Sequence, residues 1–131
     1  LHSLTGNTAV YLNYSFARAK SIINKLKQLN LKHKNKTKID LTDLEKFESL
    51  LLHQLFLFPF VVERAVEKLD ISLIAKYAYE LCRVFNDFYE NCSVIRAEKR
   101  ERERRIALLR LFIKLMENCF SILGLHRLEK I

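Results

Sequence analysis

The sequence predicts an all-α fold, a bundle of about five helices, on three observations. Half of the 131 residues are hydrophobic, which is enough for one domain with a real core and too little for two. The chain has only two glycines and one proline, whereas sandwiches and barrels consume turn residues at every corner. Its apolar residues recur at helical spacing, and no stretch alternates with the period of a strand. A single domain over 1–131 is therefore expected.

The first helix is expected to start after Asn7 or Thr8, either of which can cap exposed amides, and to run to about Leu29. Along it Leu12, Phe16, Ala19, Ile23 and Leu26 fall on one side, as a core face must. The segment "NLKHKNKTKID" then breaks the period and reads as a basic loop at about 30–40. "TDLE" at Thr42–Glu45 has capping-box spacing, so a second helix is placed from there to about Phe56. Pro59 suits the first turn of a short third helix ending near Leu69. The fourth runs from Asp70 or Ser72 to about Asn91, with Ile74, Tyr77, Ala78, Leu81, Phe85 and Phe88 in register. A long fifth helix spans about Ala97 to Leu123 and stops at Gly124. Its opening run "RAEKRERERR" has the alternating signs of a solvated face. The greasiest segment, "LLLHQLFLFPFVV", is interrupted by His53, Gln54 and Pro59, so no membrane span is expected.

The net charge is +8, and its placement matters more than its size. The first acidic residue is Asp40, and eight of the 23 basic residues precede it, so the other fifteen balance the fifteen carboxylates. Such a concentrated field suits a polyanion, either nucleic acid or an anionic membrane surface. Cys82, Cys92 and Cys119 are odd in number and form no close pair, which fits free thiols in a reducing compartment such as the cytoplasm. His2, His33, His53 and His126 offer no metal-ligand spacing, so no metal is expected. The sequence has no glycine-rich phosphate loop and no nucleophile elbow, so no catalytic residue is assigned. It opens on Leu1 without a signal peptide, as a piece of a longer chain would.

A second stripe on the first helix needs a reason. Tyr11, Tyr14, Arg18 and Lys25 share a side at steps of three, four and seven. Tyrosines beside positive charge can stack on unpaired bases, and arginine adds a planar face and donors. The bland account of Tyr11 and Tyr14 is the rim of a helix–helix contact. Tyr89 raises the same choice, since it lies about 60° off the centre of its helix's apolar arc at about 100° per residue.

The blocks "GNTAVYLNYSFARAKSI", "FPFVVERAVEKL", "AKYAYELCRVFNDFYENCSVI" and "LLRLFIKLMENCFSILGLHRLEKI" resemble the C-terminal, DALR-type anticodon-binding domain of arginyl-tRNA synthetases. They keep that family's order and spacing over almost the whole chain. The resemblance implies the helical bundle of class I synthetase anticodon-binding domains. It implies a parent arginine–tRNA ligase that uses ATP and magnesium in an upstream catalytic domain. It implies a domain that grips the anticodon stem–loop of tRNA(Arg). On matching positions it puts Tyr11, Tyr14, Arg18 and Tyr89 at the anticodon, with the chain end, Ile131, close by. Lys25 and the run Lys32, Lys34, Lys36 and Lys38 are expected to add electrostatic contacts to RNA.

The chain departs from the family pattern in three places. It ends on Ile131 rather than methionine, Ser15 and Phe16 replace a frequent Ala-His, and the lysine-rich loop is an addition. Two other readings stand beside this one: a non-catalytic basic helical adaptor for acidic protein or membrane, and the anticodon domain of a related, cysteinyl-type synthetase. The F-N-x-F-Y block favours arginine over the second. Cytosolic and organellar origins are both open.

Overall fold

The computed structural model describes residues 6–31 and 39–124. Five helices make up the described chain: α1 (Gly6–Gln28), α2 (Lys46–Phe56), α3 (Phe58–Lys68), α4 (Ser72–Asn91) and α5 (Lys99–Leu123). Among the described residues there is no strand. The lysines of the loop (Lys32, Lys34, Lys36, Lys38) and Ile131 lie outside the described residues.

α4 is the central helix, because all four other helices pack on it. Leu81, Cys82, Phe85 and Phe88 of α4 are fully buried, as are Leu12 and Ala19 of α1 and Phe112 and Met116 of α5. Phe85 stacks flat on Phe112 at 4.0 Å between ring centroids, and Phe16 meets Phe120 edge-on at 5.5 Å. Each such side chain contributes about 1.5–3 kcal/mol on leaving water. α1 runs parallel to α4, with Tyr11 against Tyr79 and Arg18 against Glu90. α5 is antiparallel to α4, pairing Cys82 with Met116 and Phe85 with Phe112.

The helix ends follow their local chemistry. Asn30, with φ 56°, ends α1 in the left-handed region that asparagine tolerates, and the Leu31 amide bonds back to the Leu26 carbonyl at 3.0 Å. Gly124 ends α5 at φ 69°, a conformation that favours glycine. The Asp70 carboxylate accepts the Ser72 amide at 3.0 Å and starts α4. Pro59 sits in the first turn of α3, as expected.

Two sequence expectations need correction. The second helix starts at Lys46 rather than Thr42. The Asp40 carboxylate accepts the Thr42 amide at 2.9 Å and Asp43 is left-handed at φ 55°, so this segment is a turn. The cap moves three residues on, where the Glu48 carboxylate accepts the Glu45 amide at 2.8 Å. The second correction concerns "RAEKRERERR", which is only partly a solvated face. Lys99 and Arg100 are exposed, but Arg104 is buried and Arg105 half-buried. Both reach the fully buried Glu48: Arg104 by a two-pronged pair at 2.9 and 3.0 Å, Arg105 at 2.8 Å. Arg104 also donates to the Thr42 and Asp43 carbonyls, both at 3.2 Å. Alternation of sign could not reveal this, because the partner lies 56 residues away.

The three cysteines are free and buried. Burial and the hydrogen bond to Glu45 push the Cys92 thiol up to about 12, and burial does the same for Cys119. Both stay protonated and unreactive. One described stretch, Lys46–Lys68, is long and apolar enough to cross a membrane by length and composition. It is interrupted at Leu57, and its two helices pack on α4 while Glu48 is held by two arginines.

Candidate nucleic-acid interface

The parallel packing of α1 and α4 sets two side-chain stripes along one groove. The core stripe of α1 is where the periodicity puts it: Leu12, Phe16, Ala19, Ile23 and Leu26 are all buried. The second stripe lines the rim. Tyr14 is 45% exposed, Arg18 retains 21% of its side-chain surface, Tyr11 is half-buried and Lys25 is exposed. From α4, Tyr79, Arg83, Asn86 and Glu90 run alongside at steps of four, three and four.

Arg18 is the centre of this surface. Its guanidinium carbon lies 4.0 Å from the Tyr89 ring centroid and 4.8 Å from that of Tyr14. Nη2 donates to the Tyr14 hydroxyl at 2.7 Å, and Nη1 donates to Asn86 Oδ1 at 3.1 Å. The ion pair with Glu90 is long, 3.5 Å, and Glu90 is 66% exposed. The main structural alternative for this residue, a buried arginine locked to a carboxylate, is therefore met only weakly. Water screens such a pair, and it contributes at most about 1 kcal/mol. Three of the four aromatic and basic residues singled out by resemblance thus meet at one spot, Tyr14, Arg18 and Tyr89. Tyr11 joins them through Asn86.

Asn86 and Ser15 are the residues that sequence reasoning missed. The Asn86 amide donates to the Tyr11 hydroxyl and to Ser15 Oγ, both at 3.0 Å, while its carbonyl oxygen accepts from Arg18. Ser15, fully buried, donates in turn to the Tyr11 carbonyl at 3.0 Å. Asn86 therefore fixes the height of Tyr11 and the rotation of Arg18 together. The signal was in the sequence: an asparagine inside an amphipathic helix, three residues before Tyr89, needs partners. Ser15, one of the departures from the family pattern, supplies one of them. Phe16, another departure, simply joins the core.

The chemistry offered outward is specific. The hydroxyls of Tyr11 and Tyr14 accept from Asn86 and Arg18, which leaves each phenol proton to be donated. Burial raises the pKa of Tyr11 and keeps it a neutral donor. Tyr89 is 38% exposed and also lines a cavity of about 570 Å³ bounded by Ile22, Lys25, Ser93, Ile95 and Arg96. Two cations, Lys25 and Arg96, and one carboxylate, Glu90, stand in its lining. Tyr79, 45% exposed and packed on Tyr11 at 5.1 Å, extends the aromatic row toward the start of α4. Planar faces, outward donors and cations are what unstacked bases and phosphates require. Nothing in the group resembles a nucleophile paired with a base. Among the described residues, no His, Cys, Asp or Glu cluster could hold a metal ion.

Known proteins resemble this chain over nearly its whole length. The chain is 34% identical over 128 residues to the arginine–tRNA ligase of Fusobacterium nucleatum, covering 98% of this chain and 22% of that protein. It is 36% identical over 129 residues to the arginine–tRNA ligase of Buchnera aphidicola, with the same coverage. The chain therefore spans about a fifth of the length of these relatives. The fold matches that of Thermus thermophilus arginyl-tRNA synthetase with a TM-score of 0.80 at 24% identity, over 92% of this chain and 21% of that one. A putative arginyl-tRNA synthetase from Campylobacter jejuni matches with a TM-score of 0.79 at 23% identity, over 95% of this chain and 27% of that one. Residues 12–131 match the model of the DALR anticodon binding domain, and the chain belongs to that family.

Proposed function

We propose that this domain holds the anticodon stem–loop of tRNA(Arg) on the α1–α4 face, as the C-terminal part of an arginine–tRNA ligase. The observation that carries the reading is the Arg18 assembly, in which one guanidinium orders the Tyr14 and Tyr89 rings, Tyr89 also lining the neighbouring cavity. Tyr89 and Arg18 offer stacking surfaces, and Tyr11 and Tyr14 offer donors to base edges or phosphate. Lys25 stands beside the cavity for the backbone, and the lysines of the loop add charge from 32–38. Ile131, at the chain end, keeps its place in the proposal by position in the family pattern alone.

The parent enzyme would aminoacylate the tRNA in its upstream region, with ATP and magnesium bound there. Among the described residues, Glu48 pairs with Arg104 and Arg105, Glu80 with Arg83, and Asp40 with Arg100. No catalytic step is assigned to them. The domain's contribution is positional, since anticodon binding fixes where the acceptor end can reach. Protonated, unpaired thiols accord with a cytoplasmic setting.

The test is a titration of a labelled anticodon stem–loop against the wild-type domain and its Tyr14→Ala and Arg18→Ala variants. Each variant should bind about five- to 150-fold more weakly, the equivalent of about 1–3 kcal/mol per stacked base. Unchanged affinity in both would overturn the reading.

A further inference from the structure

The turn between α4 and α5, residues 92–98, belongs to no helix, yet it is held from one end to the other. The Cys92 thiol donates to Glu45 at 2.7 Å, and Val94 is buried in the core. From α5, Arg105 Nη1 donates to the Ser93 carbonyl at 2.7 Å and Arg102 Nη1 to that of Ala97 at 3.1 Å. Water would satisfy both carbonyls, so these bonds add little net stability and chiefly fix the shape of the turn.

Arg105 is the firmest of these ties. Its Nε meets Glu48 Oε2 at 2.8 Å, and Glu48 is fully buried and gripped by Arg104 as well. One planar guanidinium thus spans from a buried carboxylate to the backbone of the turn, and the core sets its orientation. Arg104, on the same carboxylate, turns its remaining donors to the Thr42 and Asp43 carbonyls instead.

What the turn presents gives this anchoring a purpose. Ser93 Oγ accepts the Arg96 amide at 3.0 Å, which fixes where residue 96 leaves the turn. Ile95 and Arg96 line the same cavity as Tyr89, and Lys25 lines it from α1. Arg96 is exposed, and among the described residues no carboxylate pairs with its guanidinium. Glu90, the carboxylate in that lining, faces Arg18 at 3.5 Å. An exposed arginine beside a stacking ring suits a phosphate, which its fork can grip with two parallel donors. We infer that the α4–α5 turn is a second wall of the RNA site, in which Arg96 contacts the phosphate of a nucleotide stacked on Tyr89 and Arg105 is the positioning residue that holds Arg96 there. This rests on the reading of the α1–α4 face as the anticodon-binding surface.

Salt titrations of stem–loop binding by the full-length enzyme test it, with melting curves to follow the fold. Arg96→Ala, an exposed substitution, should make log affinity against log salt shallower by roughly 0.7–0.9, one phosphate contact. Arg105→Lys keeps a cation for Glu48 and loses the planar fork that reaches Ser93. It should lower the slope in the wild-type background and lower it no further in Arg96→Ala. Ser93→Ala releases the Arg96 amide without touching the buried cluster and should act in the same direction, which keeps the test open even if Arg105→Lys melts early. An unchanged slope in Arg96→Ala overturns the proposal. So does an unchanged slope in both Arg105→Lys and Ser93→Ala, because the turn then needs no holding. Additive losses in the Arg96→Ala, Arg105→Lys double variant also overturn it, since Arg105 would then act independently of Arg96. Failure of the RNA reading would show differently, as stem–loop binding indifferent to Tyr14→Ala and Arg18→Ala.

Discussion

Arg18 and Arg104 are the same residue type, each facing a carboxylate, yet they occupy opposite kinds of site. Arg104 is 4% exposed, makes a two-pronged pair with the fully buried Glu48, and gives its other donors to the Thr42 and Asp43 carbonyls. Arg18 sits at the rim with a single long contact to an exposed glutamate, and is held mainly by an amide, a phenol and a ring face. Saturated partners make a staple, because any other ligand would have to displace them. Oriented but loosely paired groups make a surface that a ligand can complete. Exposure and partner type, rather than charge, separate the two.

Breaking the staple should have the largest effect. Glu48→Gln leaves Arg104 and Arg105 without their carboxylate, and the loss should be about 3–5 kcal/mol of stability, read from denaturant unfolding. Burial alone would raise the Glu48 pKa, but the hydrogen bonds from Arg104, Arg105 and the Glu45 amide outweigh it and hold it below the usual 4.5. A depressed folded pKa means the cluster's stabilisation is complete above about 4.5 and fades as pH falls through the lower, folded value. The Gln variant should therefore lose that portion of the acid-unfolding profile, as a pH series of melting curves would report.

Core truncations on α1 come next. Ile23→Ala and Leu26→Ala remove buried side chains and should each cost about 2–5 kcal/mol of stability. Arg18→Ala and Tyr14→Ala, about one to three turns away on the same helix, should leave the unfolding midpoint nearly unchanged while weakening RNA binding. Arg18→Lys separates charge from shape, since lysine retains the cation and loses the planar fork. It should bind RNA more tightly than Arg18→Ala and more weakly than wild type. Lys25→Ala is the smallest expected effect: one phosphate contact fewer, seen as a salt dependence shallower by roughly 0.7–0.9 log units.

The helices were legible because their signals are local. Period placed the core stripe of α1 and the arc of α4, Pro59 opened α3 and Gly124 closed α5. The start of α2 was misplaced because Thr42–Glu45 offers capping-box spacing that an Asp40-centred turn pre-empts. The burial of Arg104 was hidden because its partner lies on another helix, and a run of mixed charge looks the same solvated or stapled. In the candidate site, the type and stripe of Tyr11, Tyr14 and Arg18 were readable from spacing. The role of Asn86 was not, since it depends on α1 and α4 being parallel and in a particular register.

The central claim is that the α1–α4 face reads unpaired nucleotides, and Tyr89→Ala tests it most directly. Affinity is measured by fluorescence anisotropy for two labelled RNAs, an anticodon stem–loop and a blunt duplex of the same stem. The account predicts a loss of about five- to 150-fold for the stem–loop, the value of one stacked base, with duplex binding and melting temperature unchanged. Equal weakening for both RNAs, or a destabilised fold with stem–loop affinity intact, would contradict it and return Tyr89 to the rim of the core.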